Sequence, residues 1–261
     1  MRLNDRVALI TGASSGIGME TALEFARRGA RLVLAARRKD RLQEVAQKAR
    51  ELGSDALAIP TDVAKMEQIE ALVEAAIKRY GRIDILVNNA GFGQLSTLED
   101  TTPDEMKEIF DVNFMGTFHA TRAVIPHMRK QGGGHIINVS SAAATRGLAR
   151  MGAYCATKSA QKSITEALRL ELDGSGINVS LVLPVFTETE FFDVMRNKTG
   201  KRLNLPRIFT QKASRVAKAI ADCAQNPKPE VLPFPLARVL FLANALAPAL
   251  VDFVLKRYYK V

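Results

Sequence analysis

The sequence predicts an α/β fold: one doubly wound parallel sheet with helices on both faces, followed by an apolar helical tail. Three observations carry this expectation. Short apolar runs alternate with amphipathic stretches along most of the 261 residues, which is the rhythm of strand–helix–strand units. The runs are apolar throughout rather than at every second position, as strands covered on both faces require. Right-handed crossovers then wind such units into an open sheet that binds ligands at its carboxyl edge.

The elements follow in order. Residues 7–11 (VALIT) read as a strand that runs into a glycine-rich turn. Residues 16–29 carry apolar positions at helical spacing and stop at Gly29. A strand at 31–36 precedes a charged amphipathic helix over 39–52, closed by Gly53. A third strand at 55–60 leads to a helix over 65–80, and a fourth at 83–91 enters another turn. A long helix is expected over 103–130, because Pro103 suits its first turn and glycines 132–134 follow it. The fifth strand falls at 135–141, a helix at 152–173 and the sixth strand at 177–184. Residues 187–210 have no clear period and read as a long loop, functional or mobile. A helix over 213–225 and a short strand at 230–232 complete a first unit of residues 1–232. The second unit, 233–261, is the most apolar stretch, and Pro248 breaks it into two amphipathic helices.

Hydrophobic residues make up 47% and charged residues 25%, a globular composition that excludes a disordered or collagen-like chain. Two cysteines, Cys155 and Cys223, are too few for a disulfide scaffold and favour a reducing, cytoplasmic setting. The opening MRLNDRVALITG lacks the apolar core of a signal peptide. The net charge of +10 is uneven: residues 1–195 carry 24 basic and 24 acidic side chains, residues 196–261 carry 13 and 3. Such a surplus suits an acidic partner, a membrane surface or a solubilising surface. Nucleic acid is not expected, because aromatics do not interleave the basic residues. Arg238, Asn244, Pro248 and Asp252 interrupt the tail and argue against a membrane span. Two alternatives stay open for it. It packs on its own domain or a partner subunit, or its apolar face, beside Arg238, Lys256, Arg257 and Lys260, makes a peripheral membrane contact.

The chemistry begins at TGASSGIG (11–18), where Gly12, Gly16 and Gly18 allow a tight turn and close backbone approach. Lying after a strand and opening a helix, this turn offers free N–H groups to a pyrophosphate, with the Ser14 and Ser15 hydroxyls beside them. Tyr154 and Lys158 are four residues apart, hence on one helix face. An ammonium there is expected to lower the phenol from its usual pKa of about 10. Ser141 closes the fifth strand at the ligand-binding edge, and strand alternation sends Ser140 to the other face.

TGASSGIG, NNAG (88–91), Asn113 within DVNFMGTF, Ser141, Tyr154 and Lys158 follow one another in an order that resembles the short-chain dehydrogenase/reductase family. The resemblance covers roughly residues 5–190. It implies a Rossmann-like oxidoreductase that passes a hydride between a nicotinamide and a carbonyl or secondary alcohol. It also implies roles. Tyr154 is the proton donor or acceptor, Ser141 hydrogen-bonds the substrate oxygen, and Asn113 holds a water-linked relay to Lys158. Implied cofactor contacts are Gly12, Ser14, Ser15, Gly16, Ile17, Gly18, Asn89, Ala90 and Gly91, then Tyr154, Lys158, Pro184, Thr187 and Thr189. Asp62 and Val63 would flank the adenine, although Asp62 also suits a helix N-cap.

Ala36 stands where an NAD site carries an acid for the ribose, and Arg37 and Arg38 follow it. Guanidinium groups grip a 2′-phosphate, so NADP(H) is expected over NAD(H), with Arg37 the main contact and Arg38 the second. The chain departs from the family at Pro184-Val185, where Pro-Gly is usual, and a valine resists positive φ, so that turn is expected to differ. His119, His127 and His135 lack metal-site spacing and read as surface or helix-end residues. Cys155 reads as a buried small residue. Apolar tails in relatives suggest a lipid, steroid, retinoid-like or ketoacyl substrate, and the family suggests a homodimer or homotetramer. The competing reading is a non-catalytic NADP-binding regulator or membrane-docked scaffold. Retention of Asn113, Ser141, Tyr154 and Lys158 together argues against it.

Overall fold

In the computed structural model, which describes residues 3–200 and 210–259 and side chains up to Arg257, strands and helices alternate as the sequence pattern requires. The first half runs β1 (Val7–Thr11), α1 (Gly16–Arg27), β2 (Arg31–Ala36), α2 (Lys39–Glu51), β3 (Ala56–Pro60), α3 (Met66–Tyr80) and β4 (Ile85–Asn88). A two-residue strand β5 (Gln94–Leu95) precedes α4 (Pro103–Phe110) and α5 (Gly116–Lys130). Then come β6 (Gly134–Val139), α6 (Gly152–Glu171) and β7 (Ile177–Val182).

The sheet order is β11-β7-β6-β4-β1-β2-β3, with β11 at Glu230–Val231, and every pair is parallel. The chain winds one way from β1 to β3 and the other way from β4, so a crevice opens between the carboxyl ends of β1 and β4. Alternate residues of each strand enter different cores. Ala8 and Ile10 pack with Phe25, Leu42 and Ile220 under the α1 and α2 side. Val7 and Leu9 pack with Leu72, Val124 and Met128 under the α3 and α5 side. Both faces are dry, which explains strands without polar alternation. Asn88, Asn138 and Thr165 form a buried ladder under the crevice, with Asn88 Nδ2 2.9 Å from Asn138 Oδ1 and Asn138 Nδ2 2.8 Å from Thr165 Oγ1.

Several expectations need correction. The helix expected over 103–130 is interrupted by a π-helical turn, Asp111–Met115. Such turns insert one residue into the ladder and re-aim a side chain, here Asn113. The strand expected at 135–141 ends at Val139, so Ser141 lies in the turn beyond it. The segment 187–210 is not a plain loop. It carries β8 (Phe186–Glu188), α7 (Phe191–Val194), β9 (Arg196–Asn197) and the start of β10 (Thr210–Lys212). β8 pairs with β10 and β9 with β5, two small sheets that only long-range pairing creates. Residues 201–209 lie outside the described residues. His135 is no surface residue: it is buried in β6, with Nε2 2.8 Å from Ser180 Oγ, and burial pushes its pKa down to about 4.

The tail follows α8 (Ala213–Gln225) as two helices, α9 (Ala237–Leu246) and α10 (Pro248–Tyr259), bent by 117° at the break beside Pro248. Among the described residues no single helix is long and apolar enough to cross a membrane, and the bent pair reaches that length and composition together. Its inner side packs on the domain. Phe241 lies against Ala144, Leu181 and Leu183, and Asn244 Nδ2 donates to Thr145 O at 3.2 Å. Arg146 ties both helices down by bonding Asn244 and Asp252. The outer side exposes Val239, Leu242, Leu246 and Phe253, while Leu250, also exposed, borders the cavity. Lys256 and Arg257 close the described side chains, and Lys260 lies outside them.

Candidate active site

A cavity of about 1190 Å³ opens at the carboxyl edge of the sheet. Its floor is the turn between β1 and α1. Gly12 sits at φ +65, and a Cβ there would meet Ala90 Cα at 2.7 Å; one on Gly18 would meet Gly12 O at 2.2 Å. Only glycine permits backbones this close. Asn89 locks the approach, its Nδ2 donating to Thr11 O (3.1 Å) and Gly12 O (3.2 Å). The N–H groups of Asn89 and Ala90 donate to Thr11 Oγ1. Ser14, Ser15, Gly16 and Ile17 line the cavity, and the Ser15 N-cap makes no side-chain cap bond. The first turn of α1 therefore keeps N–H donors for an anion. A cradle too tight for any side chain, ending on free donors, fits a dinucleotide diphosphate.

Beyond the turn, Ala36 is buried at the end of β2, while Arg37 and Arg38 form the rim. Arg38 Nη2 donates to Ser15 Oγ (2.7 Å) and Ser14 Oγ (3.2 Å). Asp62 and Val63 line the opposite wall. Asp62 does not cap α3, whose N-cap is Lys65; its Oδ1 accepts from Ala64 N at 3.1 Å and fixes the turn itself.

The catalytic candidates converge on one wall. Tyr154 and Lys158 project from α6, and Lys158 is only 4% exposed. Its Nζ donates to Gln161 Oε1 (2.8 Å) and Val139 O (3.1 Å) and lies 5.8 Å from the Tyr154 ring centre. Ser141 caps the short turn Ala142–Ala144 through Ala143 N (3.1 Å) and hydrogen-bonds the Tyr154 side chain. Ser140 points away, donating to Lys158 O. Asn113 is committed to the loop after Gly91: its Oδ1 accepts from Phe92 N (2.9 Å), and its Nδ2 donates to Phe92 O and Thr157 Oγ1. The connection to Lys158 runs through protein groups. Gln161 Nε2 donates to Thr117 Oγ1 (2.6 Å), and Thr117 Oγ1 donates to Asn113 O (3.2 Å). Sequence reasoning missed Gln161 and Thr117, although Gln161 lies three residues after Lys158 and hence on the same helix face.

Burial dominates the electrostatics. It raises the Tyr154 phenol well above its usual range, and the Ser141 hydrogen bond offsets only part of this. It brings the Lys158 ammonium down to about 7. The expected lowering of the phenol by Lys158 is absent, because Nζ is bonded to Val139 and Gln161 rather than to the phenol oxygen.

The turn after β7 accommodates its valine. Among described non-glycine residues only Asp5 and Arg150 have positive φ, so Val185 is unstrained. Pro184 O accepts from Ala142 N (2.8 Å), and Thr187 Oγ1 donates to Val185 O (2.8 Å). Thr187 and Thr189 still line the cavity, and Thr189 Cγ2 would lie 3.1 Å from a Cβ on Gly16. The outer part of the cavity is apolar, with Phe92, Leu148, Met151 and Phe192 facing Phe241 and Val251 of the tail. The Phe191 ring packs edge-on against Tyr154 at 5.6 Å.

Comparison with known proteins places this geometry among dehydrogenases. The short chain dehydrogenase family profile matches residues 6–200. An uncharacterised oxidoreductase of Staphylococcus saprophyticus is 41% identical over 231 residues, 87% of this chain and 92% of that protein. An 11-beta-hydroxysteroid dehydrogenase-like protein of Arabidopsis thaliana is 38% identical over 252 residues, 96% of this chain and 80% of that one. The crystal structure of a short chain dehydrogenase/reductase from Burkholderia phymatum in complex with NAD superposes with a TM-score of 0.86 at 28% identity, covering 96% of each chain.

Lys158 makes stability depend on pH. The unfolded side chain holds its proton to about pH 10.4, whereas the folded one releases it near 7. Between about pH 7 and 10 the unfolded chain binds the extra proton, so stability of the nucleotide-free protein rises with pH. Urea titrations across that window are expected to show a rise that Lys158→Met loses; parallel curves for the two proteins would contradict the burial.

Proposed function

The chain belongs to the short-chain dehydrogenase/reductase family of oxidoreductases, and from that premise we propose that it is an NADPH-dependent carbonyl reductase acting on an apolar substrate. The observation that carries this reading is the convergence of Ser141, Tyr154 and Lys158 on a cavity that has a diphosphate cradle at one end and an apolar mouth at the other. Two arginines, Arg37 then Arg38, follow Ala36 where an acid would repel a 2′-phosphate, which supports NADP(H). The other assigned cofactor contacts are Gly12, Ser14, Ser15, Gly16, Ile17, Gly18, Asp62, Val63, Asn89, Ala90, Gly91, Tyr154, Lys158, Pro184, Thr187 and Thr189.

NADPH, when bound, supplies the hydride. The protein supplies the proton. A phenol raised by burial stays protonated at neutral pH, so Tyr154 is a donor to the carbonyl oxygen as charge develops there. Ser141 offers a second hydroxyl to the same oxygen. Lys158, which exchanges its proton near pH 7, stands behind the ring as the next proton holder, fixed by Gln161. Aromatic and aliphatic walls exclude water and suit a lipid, steroid, retinoid-like or ketoacyl carbonyl. The two buried free cysteines suit a reducing cytoplasm, and a homodimer or homotetramer accords with the family. The alternative, a non-catalytic NADP-binding regulator of the same fold, makes no use of the Tyr154 environment.

A specific observation favours a further contact. The outer face of α9 and α10 carries a row of exposed apolar side chains beside Arg238, Lys256 and Arg257. Apolar area flanked by cations suits peripheral contact with an anionic bilayer.

Tyr154→Phe is expected to lower kcat/KM by about 10²–10⁴ while leaving the Kd for NADPH nearly unchanged. Turnover close to the wild type would remove Tyr154 from its role. Phosphatidylglycerol vesicles are expected to sediment the full chain and to lose it on Leu246→Glu with Phe253→Glu. Equal sedimentation of both proteins, or of neither, would contradict the membrane contact.

A further inference from the structure

The segment after β7 carries an acid that hydride transfer does not use. Glu190 sits between Thr189, which lies against Gly16, and α7. Its Oε1 is 2.5 Å from Arg38 Nη2, and its Oε2 is 2.5 Å from Arg41 Nη1. The Ser15 hydroxyl also bonds it. Arg38 in turn reaches Ser14 and Ser15. One carboxylate thus gathers the cations and hydroxyls that lie between the end of β2 and the N-terminus of α1. Those groups are the ones a phosphorylated nucleotide needs.

Each ion pair alone is weak, because Arg38 and Arg41 are 42% and 52% exposed. The carboxylate is better enclosed, at 27%, and bridges both. Its partners, Arg38 first, hold its pKa down to about 2, so it is an anion at any ordinary pH. A phosphate and this carboxylate cannot share Arg38 without repelling each other.

We propose that Glu190 is an internal stand-in for the 2′-phosphate of the cofactor, holding the β8–α7 segment against the cofactor groove until that phosphate displaces it from Arg38. The inference rests on the NADP(H) reading above. It gives the displaced charge a second effect. Glu190 adjoins Phe191, whose ring packs on Tyr154 and lies beside Gly93, where a Cβ would be 2.7 Å from the ring. Taking Arg38 from Glu190 loosens the wall that the substrate meets, so the nucleotide's phosphate and the shape of the substrate pocket are linked.

Equilibrium titration of the full-length protein with NADPH and with NADH, by nucleotide fluorescence, tests this in wild type and Glu190→Gln. The glutamine keeps the shape and removes the charge. NADPH is expected to bind about threefold to tenfold more tightly to the variant, and NADH to change by less than about twofold. Arg41→Gln, which leaves Arg38 as the carboxylate's remaining arginine, is the second variant and should bind NADPH no more tightly than the wild type. An unchanged or weakened Kd for NADPH in Glu190→Gln overturns the inference, as does an equal gain for NADH. If wild type prefers NADPH and the variant matches it, the cofactor reading stands and only this inference falls. If both proteins bind NADH and neither binds NADPH, the cofactor reading falls and takes the inference with it.

Discussion

Two backbones touch where the sheet reverses direction, and the site depends on that contact. Gly12 at the end of β1 lies so close to Ala90 after β4 that a single methyl on either Gly12 or Gly18 has no room. Asn89 and Thr11 tie the two turns together with four hydrogen bonds. The contact opens the donors of α1 toward the cavity. It also aligns the loop after β4, so that Gly91 and Phe92 meet Asn113. From there the chain of contacts passes through Thr117 and Gln161 to Lys158. Gly12 and Tyr154 are 142 residues apart in sequence, yet the glycine turn and the tyrosine–lysine face belong to one packed unit.

Charge in this unit is governed by how little water reaches it. Lys158 has two acceptors and no carboxylate, so its ammonium loses hydration without gaining a counter-ion. The same dryness keeps the Tyr154 phenol protonated. At the other end of the cavity the balance is opposite: Arg38 and Arg41 are wetter and share an acid. One pocket thus has a dry end with suppressed charge and a wetter end with charge in place, and the tail roofs the apolar space between them.

The repetitive half of the fold was legible in the sequence because each element repeats one physical rule. Strands buried on both faces are apolar runs, and helices between them carry a single apolar stripe. Boundaries moved by a few residues, as at residues 83–91, where the strand stops at Asn88. The break at Pro248 and the burial of Cys155 were also readable, since both follow from local chemistry. The π-turn at Asp111–Met115 was not, because the sequence around it has the same helical period as its flanks. The small sheets β8–β10 and β5–β9 join segments far apart in sequence, and no local pattern announces such pairing. His135 was misplaced because a lone imidazole in an apolar strand has no periodic signature; its hydrogen bond to Ser180 comes from β7. Among the site residues, the glycines, Ser141, Tyr154 and Lys158 stood out by motif. Glu190 carried no signal at all, since its meaning depends on two arginines 149 and 152 positions earlier that only the folded chain brings to it.

Nucleotide oxidation by the purified protein, with NADPH and NADH in parallel against a panel of carbonyls, tests the proposed reductase activity directly. The panel spans ketosteroids, retinal, β-ketoacyl thioesters, medium-chain aldehydes and ketones, and sugars. Oxidation of NADPH is expected with an apolar class, at a kcat/KM above that with NADH and with no turnover of the sugars. Tight NADPH binding with no oxidation on any class would contradict that activity and leave a nucleotide-binding regulator; faster turnover with NADH would contradict the role given to Arg37 and Arg38.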